Sequence, residues 1–320
     1  MKPLIIIAGP TAVGKSAFSV KLARKINGSI ISADSMQVYK GMDIGSAKIT
    51  TTEMQGIKHY LIDICDPRDD YNVFLFQKAA KEALSEIYDA GKIPILTGGT
   101  GFYIQALLYD IDFDETAGEE TRFRKELEAE ALDKGSDFLY ARLQEVDPES
   151  CETIHKNNTK RIIRALEYFL ETGEKISTHN ENERKKPPAY NSAYFVLNDE
   201  RALIYKRIDE RVDVMLKEGL LCEVKALKDL GLTKENVSMQ GLGYKELLMY
   251  LDGEISYDDA VYMIKRDSRH FAKRQLTWFN REKDIIWLNK NDFNYNDEAI
   301  LDFVIAKLID KGIYEDDIKK

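Results

Sequence analysis

The chain opens with a short uninterrupted apolar run, 4-LIIIA-8, that stops at Gly9-Pro10. Four to eight apolar residues bounded by turn signals read as a strand buried on both faces. Beyond the turn, apolar positions recur at helical spacing through Lys25. Runs 29-SIIS-32, 59-HYLIDI-64 and 93-IPILT-97 predict further short strands. Between them, 74-FLFQKAAKEALSEIYDAG-91 predicts an amphipathic helix closing on Gly91. Strands alternating with helices predict an α/β fold with a doubly wound, mostly parallel sheet. Ligands of such sheets sit at the strands' carboxyl ends.

The pattern changes near Asp114. From Glu119 to Thr172 the sequence reads as helical throughout, rich in Lys, Arg and Glu, and it runs on to a polar Pro-Pro linker, 180-NENERKKPPAY-190. A returning strand follows at 192-SAYFVLN-198, then mostly helix until a last strand at 285-IIWL-288 and a closing helix near 297–311. The expected organisation is therefore a first core segment over 1–114, an all-helical insertion over 115–190, and completion of the core over 191–320.

Composition narrows the class. The 320 residues suit one large domain, or a core with an insertion. No stretch approaches 18 consecutive apolar residues, so no membrane span is expected. The five-residue run at the start is too short for a signal-peptide core. Cys65, Cys151 and Cys222 show no paired spacing, which excludes a disulfide framework and a CxxC zinc site and fits a reducing cytosol. The formal charge of −9 argues against nucleic acid as a first guess. Charge is unevenly spread, however: Ala260 to Lys283 holds seven basic and two acidic residues, whereas Asp284 onward holds nine acidic and five basic. A basic face on an acidic protein is compatible with that balance.

The candidate chemistry starts at 9-GPTAVGKS-16, which fits the phosphate-loop pattern GxxxxGK[ST]. Gly9 and Gly14 let the backbone curl, so that beyond Pro10, which has no N–H of its own, the N–H groups of Thr11, Ala12 and Val13 converge on phosphate oxygens. Lys15 adds a point charge, Ser16 suits Mg²⁺, and the following helix offers its positive end. A strand before and a helix after make a mere glycine turn the weaker reading. The next strand delivers Asp34 at its carboxyl end, in 30-IISADSMQVYKGMDIGSAK-48. A third segment, 97-TGGTGFYIQALL-108, places Thr100 at the same sheet edge.

Other signals stay open. The run 289-NKND-292 spells the guanine-reading NKxD, but no DxxG occurs anywhere, and a polar strand exit explains it better. A Walker-B carboxylate at the end of 60-YLID-63 is equally ambiguous, so an ATPase or kinase is permitted without being compelled. Lys160, Arg161 and Arg164 share one side of 155-HKNNTKRIIRALEYF-169, with Ile162, Ala165, Leu166 and Phe169 available for packing. Arg266, Arg269 and Lys273 form a second stripe in 264-IKRDSRHFAKRQLTWF-279. Each stripe alone reads as a solvated face; both together, with an anion-binding loop, point to a phosphodiester partner. Arg207 and Arg211 are four apart and share a helix face, where ordinary pairing with neighbouring acids is the bland alternative.

With these residues in view, the chain resembles the bacterial tRNA dimethylallyltransferases, or isopentenyl transferases, from its start to about Asn289. The resemblance rests on GPTAVGKS, SADSMQVYKGMDIGSAK, HYLID, GGTGFYIQALL, the RIIRALE region, RIDERVDVMLKEG, QGLGYKE and KRQLTWF. The 33–48 block is the most diagnostic, because phosphate loops are shared by many families. Lys160 departs from the QRxxR pattern common in the family. The resemblance implies transfer of a dimethylallyl group from its diphosphate to N6 of adenosine 37, next to the anticodon of tRNAs reading codons that begin with U, in a cytoplasmic, monomeric, Mg²⁺-dependent enzyme. It implies that Gly9 to Ser16 cradle the diphosphate, that Ser16 holds the metal, and that Arg211 or Arg207 supplies a cation from the opposite side. It casts Asp34 as the base toward N6, with Thr100 completing the site. For the tRNA it implies contacts from Asp34, Ser35, Met36, Gln37, Thr100, Arg122, Lys160, Arg161, Arg164, Gly243, Tyr244 and Lys245. The helical insertion and the basic helix would hold the anticodon stem-loop. Three alternatives remain at this level: a small-molecule kinase, a guanine-nucleotide switch, and a prenyltransferase acting on free AMP. Whether the phosphate loop also binds ATP is left open.

Overall fold

The computed structural model describes residues 1–113 and 121–315. The chain divides into two compact units, one formed by Met1–Leu108 and Ala189–Lys320, the other by Tyr109–Pro188.

The first unit is built on six strands: β1 (Pro3–Ala8), β2 (Gly28–Ala33), β3 (His59–Tyr60), β4 (Ile93–Gly98), β5 (Asn191–Asn198) and β6 (Ile285–Asn289). They lie in the order β3-β2-β4-β1-β5-β6, and every pair is parallel. Leu4 to Ala8 are all fully buried, as an uninterrupted apolar run demands of a strand covered on both faces. Ile5 and Ile7 join the cluster containing Leu22 and Ala23 of α1 (Lys15–Lys25). Alternation along the strand sends Ile6 to the opposite face. A one-turn α2 (Thr51–Met54) precedes α3 (Val73–Asp89), which packs on β2, β4 and α4 (Gly101–Leu108).

Register sets where the strands stop. Ala8 pairs with Gly98 and with Val196, and Gly98 pairs in turn with Ala33. The last residues of β2, β4 and β1 therefore lie in one row, and whatever follows each strand emerges at the same edge. A Cβ on Gly98 would collide with the Ala33 carbonyl, so the approach of β4 to β2 at that row requires glycine.

The 59–64 run forms a shorter strand than its composition predicts. Leu61 and Asp63 both take positive φ (63° and 55°), which ends β3 after Tyr60. The Lys48 ammonium, 2.5 Å from both Asp43 and Asp63, ties this turn to the 43–48 loop.

The second unit is helical: α5 (Arg122–Lys134), α6 (Ser136–Val146), α7 (Pro148–Cys151), α8 (Thr159–Thr172) and α9 (Ile176–Lys185). The expected continuous helix is interrupted over 152–158, where Asn158 caps α8 by accepting from the Arg161 N–H. Glu119 lies outside the described residues, as does the boundary expected at 114–115. Much of the expected linker is helix α9; irregular backbone is confined to the residues around Pro187-Pro188. Leu127, Leu139, Leu143, Ile162, Ala165 and Leu166 form this unit's core, while Phe169 is only half-buried.

Glu167 is a buried charge beside that apolar core, in a unit that also buries Asp147 and Ser150. Its side chain is 1% exposed and meets Arg124 at 2.6 Å and Arg164 at 3.2 Å, and its Oε1 accepts from the Thr121 hydroxyl at 2.7 Å. Burial pushes the carboxyl up, but the bonds from Arg124 and Thr121 outweigh it and hold it below the usual carboxylate range. After β5 the first unit carries the remaining helices, α10 (Arg201–Glu218), α11 (Leu220–Asp229), α12 (Tyr244–Leu251), α13 (Tyr257–Phe279) and α14 (Asp297–Asp310). Removing one partner of a buried ion pair costs about 3–5 kcal/mol, and the part-exposed arginines reduce that. Glu167→Ala should therefore lower the stability of the 121–185 helices by about 2–3 kcal/mol, read as faster amide exchange across α5 and α8. Unchanged exchange there would remove Glu167 as their anchor.

Candidate active site

The row of strand ends brings three sequence segments, and helices α10 and α13 bring two more, to one cleft. It is lined by Thr11, Lys15 and Ser16 after β1, by Ser32, Asp34, Gln37 and Ser46 at and beyond β2, by Thr97, Gly98 and Gly99 of the β4 end, and by Arg211, Phe271 and Gln275 from α10 and α13.

After β1 the backbone turns through Gly9 (φ 147°), Ala12 (φ 62°) and Gly14 (φ 97°) before α1 begins. A Cβ on Gly9 would strike the Leu197 carbonyl, which makes glycine obligatory at the loop's entry. No side chain caps α1, so its first N–H groups and its positive end are available to an anion. The Lys15 ammonium folds back to donate to the Pro10 carbonyl at 2.8 Å. Burial lowers Lys15 to about 8; the Arg211 charge also lowers it, and Asp34 opposes both. Arg211 donates to the Thr11 hydroxyl at 3.5 Å, and burial draws its guanidinium down as well, against the pull of Asp34 and Glu53. Two cations crowded together and partly desolvated are poised to gain from a polyanion.

Arg207 has a different post. It pairs with the buried Asp199 and donates to the Ala12 carbonyl at 3.4 Å, bracing the loop backbone. Of the two arginines, Arg211 is the one that lines the cleft.

Asp34 follows β2 directly. Its Oδ1 accepts from the backbone N–H groups of Met36 (2.9 Å) and Gln37 (3.3 Å), a local turn that fixes the carboxylate. Oδ2 has no hydrogen bond among the described residues. Gln37 is held at both ends of its amide, accepting from Ser32 Oγ at 3.2 Å and donating to the Ala47 carbonyl at 3.3 Å. Thr100 donates its N–H to the Ala33 carbonyl at 3.3 Å and starts α4, accepting from Tyr103 and Ile104. It stands beside the cleft, not among the residues lining it.

Gln275 is a residue that residue patterns overlooked. Buried on α13, it accepts from the Thr11 N–H at 2.8 Å and donates to the Gly99 carbonyl at 3.0 Å, clamping the phosphate loop to the β4 turn. A Cβ on Gly99 would strike its amide. The signal emerges with burial: Ala272, Gln275 and Phe279 share one buried helix face, on which a lone glutamine needs partners.

Several predicted contacts prove to be internal. Tyr244 is fully buried and donates to Glu223 Oε1 at 2.6 Å, so its ring cannot face a ligand. Gly243 (φ 91°) is buried at the start of α12, whereas Lys245 is exposed. Ser35 and Met36 are half-buried, and a Cβ on Gly241 would crowd the Met36 methyl. Arg122 is exposed and paired with Glu126 at 2.7 Å, and Arg164 belongs to Glu167. Lys160 and Arg161 are exposed, and neither has an ion pair among the described residues. On α13, Arg266 pairs with Asp267 and Arg269 with Asp209, leaving Lys273 as the unpaired member of that stripe among the described residues. In 289-NKND-292, Asn289 accepts from Asn198 and donates to Asp292, closing a strand exit. The other strand-end carboxylate, Asp63, is taken by Lys48.

Comparison with known proteins agrees with this geometry. The family model described as IPP transferase matches residues 37–282. A tRNA dimethylallyltransferase from Lachnoclostridium phytofermentans is 56% identical over 313 residues, 98% of this chain and 99% of that protein. The crystal structure of a full-length tRNA isopentenylpyrophosphate transferase from Bacillus halodurans superposes with a TM-score of 0.73 at 42% identity, covering 98% of both chains. A eukaryotic dimethylallyltransferase acting on tRNA gives 0.84 at 30% identity, covering 99% of this chain and 82% of that one.

The lowered Lys15 makes a pH prediction. Below about 8 the free protein carries a charged Lys15; a bound diphosphate favours that charged form and raises its pKa. Above 8, binding must take up a proton, so pyrophosphate affinity should fall with a slope approaching one log unit per pH unit. Lys15→Met should bind more weakly and lack that component, which also cancels the ligand's own titration. Identical pH profiles for the two proteins between pH 7 and 9.5 would refute it.

Proposed function

Since this chain belongs to the IPP transferase family, we propose that it transfers a dimethylallyl group from dimethylallyl diphosphate to N6 of adenosine 37, next to the anticodon of tRNAs reading codons that begin with U, and releases diphosphate. The observation that carries the reading is the coexistence, in one cleft, of a phosphate loop with two cations and a carboxylate with an uncommitted oxygen. Incubating an anticodon stem-loop with dimethylallyl diphosphate and Mg²⁺, and finding N6-dimethylallyladenosine by mass spectrometry, tests it directly.

The two substrates suit opposite sides of the cleft. Loop N–H groups, Lys15 and Arg211 hold the diphosphate and stabilise the charge that develops as it leaves. Because the allylic carbon tolerates partial positive charge, the displacement is loose, and the leaving group needs the most help. The acceptor N6 is weakly nucleophilic while its lone pair is delocalised into the ring. It gains strength as its proton passes to a carboxylate, and Asp34 Oδ2 is the group available. Thr100 stands at the rim on that side. The adenosine comes from a single-stranded loop, so extruding it costs only a few kcal/mol.

Mg²⁺ suits this site as a substrate-borne ion. Among the described residues no grouping of three or more His, Cys, Asp or Glu could cage a metal, and Mg²⁺ commonly reaches proteins through substrate phosphates with one or two protein oxygens. Ser16, exposed at the cleft, would supply that oxygen. When bound, the ion neutralises diphosphate charge.

No helix among the described residues is long and apolar enough to cross a membrane. We take the enzyme to act in the cytoplasm as a monomer.

Two outcomes test the roles. Asp34→Asn keeps the shape but cannot accept the proton, so kcat should fall about 10²–10⁴-fold while pyrophosphate affinity holds. The defect should persist as Mg²⁺ is raised; recovery at high Mg²⁺ would make Asp34 a metal ligand instead. For the RNA, log affinity for the stem-loop should fall linearly with log salt, and Lys160→Ala with Arg161→Ala should reduce that slope by about 2 without altering pyrophosphate binding. A slope unchanged by the pair would take the α8 cations out of the RNA interface.

A further inference from the structure

One buried-facing carboxylate lies outside the chemistry described above. Glu223, on the first turn of α11, accepts from three successive backbone N–H groups of another segment: Asp43 at 2.9 Å, Ile44 at 2.8 Å and Gly45 at 3.1 Å. Its Oε1 also receives the Tyr244 hydroxyl at 2.6 Å. A Cβ on Gly45 would lie 2.6 Å from the Tyr244 ring, so the turn is seated flat against it. Three consecutive N–H groups converging on one point form an anion nest. Here the protein fills that nest with its own side chain.

The consequence runs to the cleft in two steps. The captured turn sets the Ser46 and Ala47 carbonyls, and those carbonyls receive the Gln37 amide at 3.5 Å and 3.3 Å. Gln37 and Ser46 line the cleft, and the Gln37 N–H donates to Asp34 Oδ1. None of these hydrogen bonds involves the phosphate loop, Lys15 or Arg211. We infer that Glu223 is a positioning residue for the acceptor side of the site, holding the 43–47 turn so that Gln37 and Asp34 meet the adenine in a fixed arrangement; this rests on the transfer reaction proposed above.

Glu223→Gln tests it. An amide can satisfy one side of the nest, but its NH₂ then faces an N–H on the other, so the turn is released without leaving a cavity. Expected are a fall of at least tenfold in kcat/KM for the stem-loop and an unchanged pyrophosphate Kd. The number of pyrophosphate sites per chain should stay the same. Tyr244→Phe, which removes one of the four donors, should give a smaller fall in the same parameter, and the double variant should lose less than the product of the two. Activity within twofold of the parent in Glu223→Gln would overturn the inference. So would an activity loss matched by a loss of pyrophosphate sites, which would make Glu223 a residue for fold stability alone. If the parent protein transfers no dimethylallyl group to the stem-loop, the reaction itself is at fault, and that control separates the two failures.

Discussion

The structure depends on three parallel strands ending in register. Ala33, Gly98 and Ala8 occupy one row across β2, β4 and β1, and the approach at that row is so close that only glycine fits at its centre. The next residue of each strand is therefore Asp34, Gly99 and Gly9, delivered side by side by sheet hydrogen bonding alone. Helix α13 then fixes the spacing with one side chain, since Gln275 bonds the segment after β1 and the segment after β4 at once. A strand-end carboxylate, a phosphate-loop turn and their separation all follow from strand length and one amide. Preorganisation of this kind sets the backbone of the cleft before substrates arrive.

The charge distribution is equally deliberate. Lys15 rests on a carbonyl and Arg211 on a hydroxyl, contacts weak enough to be exchanged for phosphate oxygens. Asp34 is the carboxylate that shares the cleft with both, whereas other acids are committed to partners of their own: Asp199 to Arg207, Asp63 to Lys48, Asp209 to Arg269, and Glu223 to backbone N–H groups. An acidic protein of net charge −9 thereby keeps a cationic cleft. Net charge was a poor guide because it averages over pairs that cancel internally.

Much of this was legible in the sequence, where local rules dominate. The phosphate loop, its flanking strand and helix, and Asp34 at a strand end rest on short-range patterns that tertiary context does not override. The short β3 was not legible, because its apolar run is broken by backbone conformation at Leu61 and Asp63 that no alternation rule reports. Which members of the basic stripes are paired was not legible for a different reason. Helical spacing says which residues share a face, but the acids that claim Arg164 and Arg269 come from a buried position on the same helix and from another helix altogether. Tyr244 was read as a contact residue, yet its aromatic ring and hydroxyl are both consumed within the fold. Gln275 carries a signal only once burial is known.

The helical insertion leaves the core after Leu108 and returns at Ala189, and these two residues are joined by a backbone hydrogen bond of 2.8 Å from the Ala189 N–H to the Leu108 carbonyl. To the core, everything between is a single loop with its ends already tied. Closure entropy grows only logarithmically with the length of such an excursion, so lengthening or shortening it costs the sheet almost nothing. The insertion's size and surface are therefore free to drift over evolutionary time while the row of strand ends stays fixed. Chains that share this row of strand ends can in this way carry excursions of different size, with change confined to a module whose two ends meet at one hydrogen bond of the core.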